Sequence, residues 1–264
     1  MKFRTIEISD PRFERGGLRH ITLKSNALQQ RADITLFIPE NSLNNQSTPL
    51  VILLHGVYGS HWAWAMKGGA HQIAHSLIAK NKIRPMILAM PSDGLWGDGS
   101  GYLKHEKMDF ESWIVEEVPA AVQQFSLIDT NSPIFIAGLS MGGYGALRLG
   151  AKYPSKFRGI SGLSSITDFS DWQPFLEEDI SRLPVPEQER SVLHYFIKNK
   201  EILPPFRFDC GTEDELIYAN QQLHQALKSE GIPHVYEEFP GGHEWAYWEL
   251  GLARSLLFFE TLLG

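Results

Sequence analysis

A serine stands at the centre of residues 138–142, which read Gly-Leu-Ser-Met-Gly. This Gly-x-Ser-x-Gly pattern is weak by itself, but it follows an apolar run, 134–137, and precedes a helix-like stretch, 143–148. A serine at the tip of a strand-turn-helix is typical of a nucleophile elbow, where flanking glycines remove side chains that would clash. We therefore interpret Ser140 as a nucleophile. The alternative is a serine that caps the helix.

A histidine that could serve as base for this serine stands near the C-terminus. His243 comes just after the last predicted strand, 234–239, and before a closing helix predicted from residue 244. Chains that present a serine on such an elbow supply nucleophile, acid and histidine in that order. His55 follows the first buried strand and is expected to support the loop there. The histidines within predicted helices or strands are expected on the surface or in packing: His71, His75, His194, His224 and His234.

The acid that would orient His243 is expected in the turn after the second-last predicted strand. Three acids compete there. Asp214 is our choice and Glu213 the runner-up, while Glu215 better suits the first turn of the next helix, where the helix dipole favours negative charge. A fourth acid, Asp209, lies inside the strand, and we expect its side chain to point away from the strand's end. The acid would hold the histidine tautomer and stabilise the imidazolium.

Two backbone amides are needed to stabilise the oxyanion of a tetrahedral intermediate. One is expected from Met141, the residue after the nucleophile, and the other from the loop 55–60, where Val57 fits best. Five of the seven tryptophans crowd the predicted loops around these groups, which suggests an apolar pocket. Trp64 and Trp248 suit the core equally well. The tryptophans that we predict to bind substrate are Trp62, Trp96 and Trp245.

The elements that must position these residues change in character along the chain. Residues 32–38 alternate polar and apolar, as a half-exposed antiparallel strand does. The later runs 50–54, 86–89 and 134–137 are continuously apolar, which is typical of parallel strands covered on both faces. Helices are predicted in the segments 71–80, 110–125, 144–153 and 215–230.

This order predicts a single α/β domain over residues 1–264, with a mostly parallel central sheet, an antiparallel N-terminal edge and helices on both faces. The segment 168–200 breaks the rhythm because it is charged, spaced by prolines and only partly helical. We interpret it as a cap-like insertion over the carboxyl edge of the sheet. Ligands bind at that edge in folds of this class.

Composition excludes several classes of function. The chain has 24 basic and 31 acidic residues, a net charge of −7, whereas a nucleic-acid-binding surface needs clustered positive charge. No apolar run is long enough to span a membrane, and the first seven residues are too polar for a signal peptide. We therefore expect a cytoplasmic protein that acts on a small molecule. The sequence leaves self-association open.

The single cysteine excludes an intramolecular disulfide and any cysteine-based metal site. Cys210 ends a run, 206–210, that we interpret as a buried strand, and it is expected to be a small core residue rather than a reactive thiol. Nothing else in the sequence points to a metal or a cofactor, so we expect neither.

Four segments together resemble the esterase D-like group of α/β-hydrolases. This group includes short-chain (tributyrin-type) esterases, S-formylglutathione hydrolases, feruloyl and acetylxylan esterases, and mycolyltransferases. The His-Glu-Trp-Ala-Tyr-Trp ending looks most like the short-chain esterases. The chain departs from its relatives in His-Trp-Ala-Trp at 61–64 and in the segment 168–200. The segments that carry the resemblance are 53–56, 137–145, 210–214 and 242–248.

The resemblance implies an α/β-hydrolase fold and a metal-independent serine carboxylesterase for short acyl esters. It implies Ser140, Asp214 and His243 as the catalytic triad, with Val57 and Met141 as oxyanion donors, and it favours Asp214 over Glu213. Three alternatives stay open at this point. They are a thioesterase of the S-formylglutathione hydrolase type, a feruloyl or acetylxylan esterase, and an inactive hydrolase that serves as a binding module.

Overall fold

A mixed β-sheet organises the chain, whose computed structural model describes residues 3–40, 47–180, 183 and 185–264. The strands follow the order β1-β2-β3-β5-β4-β6-β7-β8-β9. The pairs β1–β2, β2–β3 and β3–β5 are antiparallel, and every pair after β5 in this order is parallel. This arrangement confirms the predicted fold class. The strands are β1 (Ile6–Ile8), β2 (Leu18–Lys24), β3 (Arg31–Phe37), β4 (Leu50–Leu54), β5 (Ile87–Pro91), β6 (Ile134–Leu139), β7 (Gly159–Leu163), β8 (Phe206–Gly211) and β9 (Val235–Phe239).

Helices cover both faces of this sheet because its central strands are apolar on both sides. In β4, Leu50, Ile52 and Leu54 face one core, while Val51 and Leu53 face the other, as the two-residue period of a strand requires. The α-helices described are α1 (Ala63–Met66), α2 (Ala70–Ala79), α3 (Phe110–Ser112), α4 (Val118–Gln124), α5 (Met141–Lys152), α6 (Glu187–Arg190), α7 (Val192–Lys198), α8 (Ile217–Ser229) and α9 (Trp245–Thr261).

The strand β7 was not predicted from the sequence. It reads Gly-Ile-Ser-Gly-Leu, so it lacks the continuous apolar run by which β4, β5 and β6 are recognised. Its glycines have a packing reason, since a Cβ atom on Gly162 would lie 2.5 Å from the Ser165 Oγ. The strand pairs with β6 and β8, and its last residue holds the amide of Ser140.

The predicted helix 110–125 is interrupted by a π-helical turn. Residues Trp113–Glu117 form this turn between α3 and α4. Pro119 has no N–H to donate to the carbonyl of Val115, and such a gap in the i to i−4 ladder favours local unwinding. The Trp113 indole N–H donates to the carbonyl of Ser92 at 2.7 Å, which ties the turn to the loop after β5.

The segment 168–200 packs on α5, the helix that follows Ser140. It contains a 3₁₀ helix, Phe169–Phe175, together with α6 and α7, while residues 181, 182 and 184 lie outside the described part. The buried Arg148 of α5 donates to the carbonyl of Glu189 at 2.5 Å, and the Tyr144 hydroxyl donates to the carbonyl of Arg190 at 2.6 Å. The segment is therefore anchored directly behind the elbow.

Candidate active site

Ser140 lies on a sharp turn between β6 and α5. Its φ of 54° and ψ of −120° are strained values for a residue with a side chain. The turn closes tightly, because a Cβ atom on Gly138 would lie 2.1 Å from the carbonyl oxygen of Gly142. A Cβ atom on Gly142 would lie 2.2 Å from the carbonyl oxygen of Leu54. The Ser140 amide donates to the carbonyl of Leu163 at 2.9 Å. This geometry fits the predicted elbow and leaves no room for side chains at either glycine.

A chain of hydrogen bonds runs from this serine to a histidine and a carboxylate. The His243 Nε2 lies 3.0 Å from the Ser140 Oγ, and its Nδ1 lies 3.0 and 3.1 Å from the two carboxylate oxygens of Asp214. An ionised carboxylate only accepts, so Nδ1 carries the proton and Nε2 offers its lone pair to the serine hydroxyl. The structure thus brings the three residues together in an arrangement that can activate an oxygen nucleophile.

Burial distinguishes Asp214 from its two acidic neighbours. Asp214 is 2% exposed, whereas Glu213 and Glu215 are on the surface. Burial by itself raises the pKa of the Asp214 carboxyl, but hydrogen bonds and charge attraction from His243, with the Leu216 amide at 2.9 Å, hold the pKa below its ordinary value. The carboxylate therefore stays ionised beside the imidazole.

Two aromatic rings enclose the imidazole of His243. The ring of Phe175 stacks on it, with centroids 5.8 Å apart and 24° between the planes, and Trp248 meets it edge-on at 4.9 Å. The Tyr58 hydroxyl donates to the carbonyl of Phe175. Sequence reasoning missed Phe175, since the segment around it has no periodicity that would indicate which side chain reaches the site.

The two amides proposed for the oxyanion lie beside Ser140. A Cβ atom on Gly56 would lie 3.3 Å from the Ser140 Cβ, and one on Gly99 would approach the side chains of both Met141 and Val57. Among the described residues, the amides of Val57 and Met141 donate to no protein acceptor. Both are therefore free to bind an incoming oxygen atom, and their role stays a prediction.

The chain matches known proteins in sequence and in structure. A family model described as "Putative esterase" matches residues 25–259. The chain belongs to this family. An acetyl esterase of Caldicellulosiruptor saccharolyticus is 27% identical over 90% of this chain and 96% of its own length. Among solved structures, a ferulic acid esterase has a TM-score of 0.80 at 25% identity, with full coverage of both chains.

The S-formylglutathione hydrolase of Staphylococcus aureus has a TM-score of 0.77 at 20% identity and covers 96% of this chain and 98% of its own, which shows the shared fold. As a member of the esterase family with an acetyl esterase among its relatives, this chain is a carboxylic ester hydrolase. No helix in the described ranges is long and apolar enough to cross a membrane. Nor do three His, Cys, Asp or Glu side chains cluster there as a metal site would need.

The tryptophans of this esterase divide into two groups. Trp64 is buried and meets Trp245 edge-on at 5.7 Å, and Trp245 meets Trp248 at 5.3 Å, so Trp245 connects through Trp248 to His243. Trp62 is 43% exposed, and Trp96 packs on His105 at 4.5 Å. Within the described residues, neither of these two makes a hydrogen bond or ring contact with Ser140 or His243, and their role in substrate binding stays a prediction.

A second buried carboxylate lies five residues before Asp214. Asp209 accepts from Arg207 at 2.7 Å, from Arg254 at 3.3 Å and from the Tyr247 hydroxyl at 2.8 Å. Cys210 beside it is buried and free, as the sequence predicts. The Asp209 carboxylate does point away from the strand's end and toward α9. Sequence reasoning missed its partners because two of them lie about forty residues further along the chain.

Proposed function

We propose that this chain is a serine carboxylesterase that hydrolyses short-chain acyl esters of small molecules through an acyl-enzyme. The observation that carries the proposal is the chain of hydrogen bonds from the Ser140 Oγ through His243 to Asp214, at 3.0 Å for each link. The name of the acetyl esterase relative supports a short acyl group. Substrate choice within the family is the part that rests on analogy.

The reaction would proceed in two halves. His243 takes the proton of Ser140 through Nε2 while Oγ attacks the ester carbonyl carbon, and the tetrahedral oxyanion binds the amides of Val57 and Met141. The bond to the alcohol oxygen then breaks, and His243 donates its proton to that oxygen. A water molecule repeats the sequence on the acyl-enzyme, which releases the acid and returns the proton to the serine.

Turnover of p-nitrophenyl acetate by Ser140→Ala tests the proposal. We expect kcat to fall by about 10⁴-fold or more while the fold is retained. Ser255→Ala is the matched control, because Ser255 is a buried serine on α9 that bonds Ser161 and the Gly251 carbonyl instead of a histidine. Full activity in Ser140→Ala would overturn the assignment.

A substrate panel tests the acyl and alcohol parts of the proposal. We expect the highest kcat/KM on p-nitrophenyl acetate and falling values up to the octanoate, because the Phe175 ring stacks on the imidazole of His243 and limits the space above it. Methyl ferulate, acetylated xylan and S-formylglutathione extend the panel. A kcat/KM on S-formylglutathione well above that on aryl acetates would replace the proposal with a thioesterase.

A further inference from the structure

The peptide group between Gly56 and Val57 is held from its carbonyl side. The Gly56 carbonyl oxygen lies 2.7 Å from the His55 Nδ1 and accepts from the Gly59 amide at 3.2 Å. In a planar trans peptide, the C=O and N–H bonds point in opposite directions. Whatever fixes the direction of this carbonyl therefore also fixes the direction of the Val57 N–H, the proposed oxyanion donor.

The hydrogen bonds of the two ring nitrogens indicate the tautomer of His55. The Asp93 amide donates to the His55 Nε2 at 3.2 Å. A ring nitrogen can accept only through a lone pair, so Nε2 carries no proton, and the neutral ring holds its proton on Nδ1. That proton points at the Gly56 carbonyl, which makes His55 a donor in this contact.

The imidazole of His55 has no freedom to turn away. It is 2% exposed, and the Tyr102 hydroxyl donates to the residue's own carbonyl at 2.9 Å. A Cβ atom on Gly59 would lie 2.5 Å from the His55 Nδ1, so the loop wraps closely around the ring. The Asp93 carboxylate, whose Oδ1 lies 3.8 Å from the His55 Nε2, accepts from the amides of Leu95 and Ser100, at 2.9 and 2.8 Å.

We propose that His55 is a positioning residue of the oxyanion hole. Its Nδ1–H orients the Gly56–Val57 peptide so that the Val57 N–H faces Ser140, and it polarises that peptide so that the N–H is a stronger donor. The inference rests on the proposed function, because it needs Val57 to bind the oxyanion. It extends that function by assigning a task to a buried histidine outside the triad.

Three variants at this position separate the proposed role from a packing role. In His55→Asn, the side-chain amide places an N–H close to the position of Nδ1, whereas His55→Gln places it nearer to Nε2, and His55→Leu has none. We expect His55→Leu to lower kcat by about 10²–10³-fold with little change in KM, the effect of losing one oxyanion donor. The Asn variant should recover most of this loss, and the Gln variant should not.

Affinity for a trifluoromethyl ketone gives a readout that packing does not move. This inhibitor forms a hemiketal oxyanion with the serine, so its Ki should rise in parallel with the fall in kcat across the three variants. The matched control is His234→Leu, because the Nδ1 of the half-buried His234 also lies 2.7 Å from a backbone carbonyl, that of Ile232, and its ring stacks on Phe206 and Phe208 instead of touching the loop 55–60. This control should keep the kcat and Ki of the parent protein.

The outcomes distinguish this inference from the proposed function. Loss of turnover in Ser140→Ala with parental kcat and Ki in His55→Leu would overturn the role of His55 alone. Equal kcat in the Asn and Gln variants would also overturn it, and this pair answers the question even if His55→Leu does not fold. Parental turnover in Ser140→Ala would instead remove the proposed function on which the inference rests.

Discussion

Two carboxylates near the end of β8 are buried to the same degree but face different partners. Asp209 is 0% exposed and Asp214 is 2% exposed. Asp209 accepts from two arginines and a tyrosine, whereas Asp214 accepts from His243 and one backbone amide. Both acids are buried charges, but only Asp214 contacts an imidazole, a group that can act as both acid and base.

The difference lies in what the partner can do. Arginine keeps its proton under all ordinary conditions, so the pair of Asp209 on β8 with Arg254 on α9 can only hold these two elements together. An imidazole can act as both acid and base, so in the proposed reaction the pair of Asp214 with His243 would respond when Ser140 gives up its proton. Burial alone therefore does not tell a structural carboxylate from a proposed catalytic one. The partner of the carboxylate makes that distinction.

The largest expected effect is on rate and comes from Asp214→Asn. The amide can donate to Nδ1 and so favour the wrong histidine tautomer, and we expect kcat to fall by about 10⁴-fold. Thermal unfolding should show that the protein remains folded. Glu213→Gln is the matched control, because it changes the neighbouring exposed acid. If Glu213→Gln lost its activity and Asp214→Asn kept it, Glu213 and not Asp214 would be the acid that orients His243.

The next effect is on stability and comes from Asp209→Asn. This change leaves Arg207 and Arg254 without their shared counter-charge in the interior, and we expect a loss of about 3–5 kcal/mol in the free energy of unfolding. Urea denaturation measures it. The control Glu237→Gln removes a half-exposed partner of Arg207 and should cost about 0–1 kcal/mol. A kcat loss in folded Asp209→Asn as large as in Asp214→Asn would contradict the division of roles.

The smallest effect is a pH dependence of stability. Because the folded-state pKa of Asp214 is lowered, its ionised form contributes stability that is complete above about pH 4, the ordinary range of aspartate. That contribution is lost as the pH falls through the lower folded-state pKa. The gap in unfolding free energy between the parent protein and Asp214→Asn should therefore narrow below this pH. A constant gap from pH 6 to pH 3 would contradict the assigned shift.

The sequence indicates the residues of the candidate triad better than it indicates the side chains that pack around them. Ser140 and His243 lie in short local patterns, since an elbow needs glycines and a loop histidine follows a strand. The choice of Asp214 over Glu213 depends on which way each side chain turns after β8. The residues already favoured Asp214, and the resemblance to a family strengthened that preference. Phe175 reaches His243 only through the folding of the segment 168–200.

The same contrast applies to the fold. Strands with continuous apolar runs are visible in the sequence because both of their faces are buried. The strand β7 is hidden because its glycines make room for neighbouring side chains. The partners of Asp209 are hidden for another reason, since Tyr247 and Arg254 lie 38 and 45 positions away along the chain, and no local pattern encodes a pairing of that range.

Covalent labelling with a fluorophosphonate probe tests the central claim most directly. The account predicts one probe per chain, attached to Ser140 by peptide mass spectrometry, with slow labelling in Asp214→Asn and none in Ser140→Ala. Asp209→Asn, where it is folded, should label at nearly the parental rate. Attachment to a different residue, or no attachment to folded protein that hydrolyses p-nitrophenyl acetate, would contradict Ser140 as the nucleophile.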